Sequence, residues 1–226
     1  MKNLIQIAGV IDKQEADMLV DAGVDYLGFP LRLKDGREDL SESAAAEIIR
    51  AIPSPSKGVL ITYISDASQI KNFCEFLSAE VVQLHGAIEV DELKKLRLIS
   101  PDLFIIKSLI VHNDNMTELE TQINTLSPFV DSFITDTFDP ATGRSGATGK
   151  VHDWNVSKRI VELSPKPIIL AGGLTADNVA EAIEFVKPAG VDSHTGVEST
   201  NGRKDPNLIK RFVEETQKAF SIITPK

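Results

Sequence analysis

The chain has 226 residues, 42% hydrophobic and 25% charged, enough to fill the core of one large α/β domain or two small ones. A net charge of −9 and a pI near 5.0 exclude a nucleic-acid partner, which needs a concentrated positive field, but leave room for a small anion held locally by backbone amides. The single cysteine, Cys74, excludes an internal disulfide framework and a multi-cysteine metal site.

No apolar run approaches the ~18–20 residues needed to span a bilayer, so no membrane partner is expected. With no disulfide and no signal peptide read at the N-terminus, the expected location is cytoplasmic.

A short apolar run followed by an amphipathic stretch recurs along the chain. "LIQIAGV" reads as a buried strand entering a turn, and "DKQEADMLVDAG" as a helix with Asp12 at its N-cap. "DYLGFPL" is followed, after a charged loop, by "SESAAAEIIRAI", where Ser41 can cap and Glu42 suits the positive end of the helix dipole. "KGVLITYI" precedes "SDASQIKNFCEFL", a helix with Cys74 on its inner face. "AEVVQLHG" precedes "IEVDELKKLRLIS", and "DLFIIKSLI" precedes "NDNMTELETQINTL". "VDSFITDTF" leads through a long Gly-rich loop to "HDWNVSKRIVEL". "KPIILAGGL" leads to "TADNVAEAIEFV", and "AGVDSHTGVE" to "KDPNLIKRFVEETQKAF".

These are eight strand–helix units. Continuous apolar strands alternating with helices predict parallel strands covered on both faces. The expected fold is therefore a (β/α)8 TIM barrel, as one domain over residues 1–226. A doubly wound open sheet is the alternative, which eight full units with no second domain disfavour.

Barrels of this kind place chemistry at the C-terminal ends of their strands. Those ends offer Ala8-Gly9, Gly28 with the loop to Arg37, Thr62, Gln83-His85-Gly86, Lys107-Ser108, Asp136-Thr137, Gly172-Gly173, and Asp192 to Glu198. The glycine turns of the last two units, "LAGGLTADN" and "DSHTGVES", occupy the usual phosphate position, with a short extra helix expected at Thr195. Tight turns without a ligand are the alternative for either one alone. Asp136, at the end of an apolar strand, loses solvation and suits a general acid near neutral pH; a turn-capping aspartate is the other reading. The loop "FDPATGRSGATGKVHDW" is long enough to fold over a substrate or to be plain surface. Arg37 by itself reads as a solvated arginine. His85, His152 and His194 are candidates for proton transfer or for structural hydrogen bonds, and their spacing predicts no metal site.

Taken together and in order, these segments resemble the phosphoribosylanthranilate isomerase family over nearly the full length. "IQIAGV" resembles the family's K-I-C-G-I, "AGVDYLGF" its G-A-D-x-x-G-F, and "VVQLHG" its V-Q-L-H-G; "IIKSLIV" is similar to its fifth strand. "ITDTF…GATGKVHDW" is similar to L-L-D-T…G-G-T-G-x-x-F-D-W. "ILAGGLTADNV" and "VDSHTGVES…GRKD" are similar to S-G-G-L-x-x-x-N-V and D-x-S-S-G-V-E…G-x-K-D. The resemblance implies a barrel of the ribulose-phosphate-binding type, acting in tryptophan biosynthesis without a cofactor. Its reaction is the Amadori rearrangement of an aminoaldose phosphate to an aminoketose phosphate, and its partner a small phosphorylated sugar, bound by a monomer or homodimer.

Residue by residue, the resemblance assigns Asp136 as the acid that protonates the ribose ring oxygen. It assigns Arg37 to the anthranilate carboxylate, Gln83 and His85 to substrate binding, and Gly172, Gly173, Gly196 and Val197 to the phosphate. The departure lies at the first strand, where the family's general-base cysteine is Ala8 and its leading lysine is Gln6; His194 stands where the family has a small residue. A methyl group takes no proton, and loss of a general base costs about 10²–10⁴-fold in rate, or roughly 3–5 kcal/mol of barrier. Cys74 cannot stand in, since it belongs to the helix after the third strand. His194 is the candidate replacement. The alternatives are a shifted substrate or reaction, and a catalytically silent phosphosugar-binding protein.

Overall fold

The computed structural model describes residues 3–33, 40–112, 115–139, 144–145 and 153–223. Eight strands and eight helices alternate in chain order, as the hydropathy pattern predicts. They are β1 (Leu4–Ala8), α1 (Lys13–Asp21), β2 (Tyr26–Pro30), α2 (Glu42–Ala51), β3 (Lys57–Thr62), α3 (Ala67–Leu77), β4 (Val81–Leu84), α4 (Val90–Ile99), β5 (Phe104–Val111), α5 (Met116–Leu126), β6 (Ser132–Asp139), α6 (Trp154–Leu163), β8 (Ile168–Leu170), α7 (Val179–Val186), β9 (Gly190–Ser193) and α8 (Pro206–Ile223). The remaining strand, β7 (Arg144–Ser145), pairs antiparallel with the end of β6, so the Gly-rich loop read from the sequence carries a short ribbon. Hydrogen-bonded order along the sheet is β5-β4-β3-β2-β1-β9-β8-β6-β7, with β5 also paired to β6. This is the strand order of a (β/α)8 barrel.

Local chemistry fixes the helix starts. The Asp12 carboxylate accepts from Glu15 N at 2.9 Å and the Ser41 hydroxyl from Ala44 N at 3.3 Å, the two caps expected from sequence. Asp205 caps α8 by accepting from Asn207 N and Leu208 N, and Pro206 fills the first helical position, where no N–H is required.

Two compact units divide the chain. One comprises Ile7–Ser108 and Thr125–Ser132. Within it β2, β3, β4 and β5 run parallel in register, and their apolar residues are buried on both faces, as in Val59, Leu60, Val81 and Val82. Arg97 on α4 donates to Leu103 O and Phe129 O and pairs with Asp131 at 2.6 Å, and Asp131 also accepts from Ile105 N.

The other unit comprises Met1–Gln6, Leu109–Asn124 and Phe133–Lys226. Here β6 pairs with β8 and β8 with β9, and Leu4 N donates to Ala189 O at 3.2 Å. Helix α8 buries Ile209, Phe212, Val213, Thr216, Ala219 and Phe220, a single stripe at helical spacing. Strands β5 and β6 end at Val111 and Asp139, each one residue past the apolar run read from the sequence. Leu109, Ile110 and Val111 carry β5 onward, and the end of β6 is held by its antiparallel pairing with β7.

Candidate functional site

The unit that holds β6, β8 and β9 gathers most of the predicted chemistry. Asp136, on β6, is buried, and its Oδ1 accepts from the Thr137 N–H at 2.8 Å. The preceding Thr135 hydroxyl both donates to Ala171 O and accepts from Ala171 N, tying β6 to the end of β8.

The turn after β8 begins with Gly172 and Gly173 at φ of 108° and 63°, the left-handed region where glycine is favoured. Asn178 shapes the rest of that turn, accepting from Thr175 N at 2.8 Å and donating to Gly173 O at 3.0 Å. The turn after β9 is locked onto it. Ser193 Oγ donates to Leu174 O at 2.8 Å, and a Cβ built on Gly196 would lie 1.9 Å from that same carbonyl oxygen. The two glycine turns are therefore neighbours, and position 196 has room for no side chain. A short 3-10 helix, η1 (Thr195–Val197), starts where the sequence predicts one. Val197 is fully buried, which leaves its backbone, not its side chain, to meet a ligand.

Around η1 lies a charged cluster of His194, Glu198 and Lys204, of which the residue types singled out the first two and not the lysine. Lys204 Nζ is 2.7 Å from Glu198 Oε1 and donates to His194 O at 3.0 Å; its side chain is 1% exposed. His194 Nε2 is 3.3 Å from the same Glu198 oxygen. Burial pushes the Glu198 carboxyl up, but hydrogen bonds from His194 and Lys204 outweigh it and hold the group below its usual range.

Asp192, the penultimate residue of β9, is also buried. Its Oδ1 has no hydrogen-bond partner among the described residues, while Gln6 on β1 hydrogen-bonds the carboxylate. Its pKa is pushed up to about 7. Burial is the main cause; His194, the Gln6 hydrogen bond and Lys204 oppose it, and the Asp136 charge adds to it. The signal for Asp192 was in the sequence: a carboxylate on an apolar strand, the same pattern that flagged Asp136.

In the other unit, Gln83 and His85 stand two residues apart at the end of β4, both buried. His85 Nδ1 is 3.2 Å from Ser108 Oγ, and its ring meets Tyr63 edge-on at 4.8 Å between centroids. Buried Lys107 donates to Ser108 O at 2.8 Å. Ala8 closes β1 and is 7% exposed. Cys74 is buried on α3, as its position in the helix predicts. Arg37, His152 and the loop residues 140–143 and 146–152 lie outside the described residues. Among the described residues no group of three or more His, Cys, Asp or Glu side chains could hold a metal ion, and no helix is long and apolar enough to cross a membrane.

Comparison with known proteins gives a consistent picture. The family model for N-(5'-phosphoribosyl)anthranilate (PRA) isomerase matches residues 5–215. The chain is similar to N-(5'-phosphoribosyl)anthranilate isomerase 2 of Methanosarcina mazei, 36% identical over 220 residues that cover 96% of this chain and 95% of that one. Among solved structures it resembles the phosphoribosylanthranilate isomerase of Thermotoga maritima at 26% identity and a TM-score of 0.80, covering 95% of this chain and 98% of the other. A phosphoribosylanthranilate isomerase solved in complex with reduced 1-(o-carboxyphenylamino)-1-deoxyribulose 5-phosphate shares the fold, with a TM-score of 0.78, 24% identity, and coverage of 95% and 98%.

Proposed function

The chain belongs to the N-(5'-phosphoribosyl)anthranilate isomerase family, and from that premise we propose how its residues carry out the reaction. It is an intramolecular aldose–ketose isomerase of tryptophan biosynthesis. Asp136 is the general acid. Its proton passes to the furanose ring oxygen as the C1′–O4′ bond breaks, and the anilino nitrogen lone pair forms the C1′=N bond. A proton then leaves C2′, the C–H electron pair becomes C1′=C2′, and the iminium nitrogen recovers its pair. Tautomerisation of the resulting enolamine gives the ketose.

His194 is the second catalytic group, moving the proton in that later step, with Glu198 beside Nε2 to orient the ring. The phosphate is held at Gly172, Gly173, Gly196 and Val197, where N–H groups of two interlocked turns can converge on an anion. Arg37, Gln83 and His85 bind the rest of the substrate. The observation that carries this reading is a buried carboxyl group on β6 in the same compact unit as those turns.

The reading extends to a cytoplasmic enzyme, monomer or homodimer, that takes a small phosphorylated sugar derivative. It also takes residues 1–226 as a single domain, supported by β1, β5 and β6, each of which contributes residues to both compact units.

Ala8 favours a second reading, a phosphosugar-binding protein without turnover, because the family's base is absent there. One experiment separates the two: the wild-type chain and Ala8→Cys are assayed with phosphoribosylanthranilate. Wild-type turnover is the expected result and establishes that a group other than residue 8 takes the C2′ proton. A silent wild type with an active Ala8→Cys variant means the pocket is intact and only the base is missing. Silence in both overturns the isomerase reading.

A further inference from the structure

We propose that Asp192 is the base that removes the C2′ proton in this chain, a role made available by the neutral Gln6 beside it. The inference rests on the isomerase reading above and names the group that first accepts the proton from carbon.

The observations converge on one carboxylate. Asp192 is buried at the end of β9, the strand hydrogen-bonded to β1 in the sheet order, and its Oδ1 is unsatisfied among the described residues. A buried acceptor left open at a strand's C-terminal end is costly unless something fills it in use. Gln6, its partner on β1, lies two residues before Ala8, so positions 6 and 8 share one face of the strand. The base-deficient position and the carboxylate's partner are therefore neighbours on β1. An amide at position 6 holds the carboxylate in place without neutralising it, whereas a lysine there would hold it ionised and weaken it as a base.

The other charged and titratable groups that face Asp192 are Asp136 from β6, His194, which follows β9, and Lys204. Lys204 is already committed to Glu198 and His194 O, so its charge is largely answered.

The proton balance closes on the two aspartates. Turnover starts from the form that holds one proton between them, on Asp136, with Asp192 ionised. Ring opening moves the Asp136 proton to the ring oxygen. Asp192 then takes the proton from C2′ as the C–H pair becomes the C1′=C2′ bond. The site now holds one proton on Asp192 and none on Asp136. Return of that proton to Asp136, through His194 or water, resets the pair. The singly protonated pair is the working form.

The test compares wild type, Asp192→Asn and Gln6→Lys on phosphoribosylanthranilate across pH. Asp192→Asn is expected to lower kcat by about 10²–10⁴-fold with little change in KM. Gln6→Lys is expected to move the acid-side limb of the pH profile down by about 1–3 units, because the new cation favours the ionised carboxylate. A kcat within tenfold of wild type in Asp192→Asn, or an acid limb that does not move in Gln6→Lys, overturns the assignment while wild-type turnover leaves the isomerase reading standing. A wild type without turnover overturns both. If Asp192→Asn does not fold, the Gln6→Lys profile decides.

Discussion

Asp136→Asn lowers kcat by about 10²–10⁴-fold, roughly 3–5 kcal/mol of barrier, while apparent affinity for inorganic phosphate stays within about twofold. The two effects separate because of where the residue sits. Asparagine matches aspartate in shape, and its carbonyl oxygen can keep the 2.8 Å bond from Thr137 N, so the β6 backbone is left in place. What it loses is the acidic proton that the ring oxygen must receive. The turns at Gly172–Gly173 and Gly196 are fixed by hydrogen bonds of Asn178 to Thr175 N and Gly173 O and of Ser193 to Leu174 O. Steady-state kinetics with phosphate as competitive inhibitor reads both quantities. Turnover that survives the substitution removes Asp136 from the mechanism.

Lys204→Met costs about 3 kcal/mol of stability, the lower end of what breaking a buried ion pair costs, since Glu198 keeps 17% side-chain exposure. At this chain length that corresponds to a fall in Tm of roughly 6–12 °C. The substitution leaves the Glu198 carboxylate with His194 as its remaining partner and removes the donor to His194 O. Adding Glu198→Gln recovers most of the loss, because the uncompensated charge is gone. The pH dependence follows from the depressed carboxyl. A folded pKa below the unfolded value stabilises the native state above the unfolded pKa, and that contribution disappears as pH falls through the folded pKa. The gap between wild type and Lys204→Met is therefore widest near neutrality and narrows on acidification below about pH 4. Thermal melts of the three proteins at pH 7 and at about pH 3 check both statements.

The alternation of strands and helices was legible because burial on both faces of parallel strands writes itself as unbroken apolar runs. The caps at Asp12 and Ser41 were equally plain, since a side chain that satisfies the first turn must stand immediately before it. Asp136 and the two glycine turns were legible by residue type against position. His194 and Glu198 were legible in the same way, but the part of Lys204 beside them was not. Lys204 entered only as part of the "GRKD" stretch, and nothing local says that its ammonium is withdrawn from water to meet residues six and ten positions earlier. Asp192 was visible among the strand-end residues, but its unsatisfied oxygen and its dependence on a glutamine from the other end of the chain are properties of the folded arrangement. His85 illustrates the opposite limit: the sequence offered proton transfer or a structural hydrogen bond, and its ring is packed on Tyr63 with Nδ1 against Ser108.

Cys74 and Trp154 are each the sole residue of their type, and they fall in different compact units. Burial pushes the Cys74 thiol up to about 12, so it resists alkylation until its surroundings open. Trp154 is half-buried at the start of α6, with its indole N–H enclosed, and its fluorescence reports the other unit. The unmodified protein thus carries two independent native reporters, one chemical and one optical. If the chain melts as one cooperative body, thiol labelling and tryptophan emission trace a single urea transition with one midpoint; separated midpoints would mean that the two units come apart in turn.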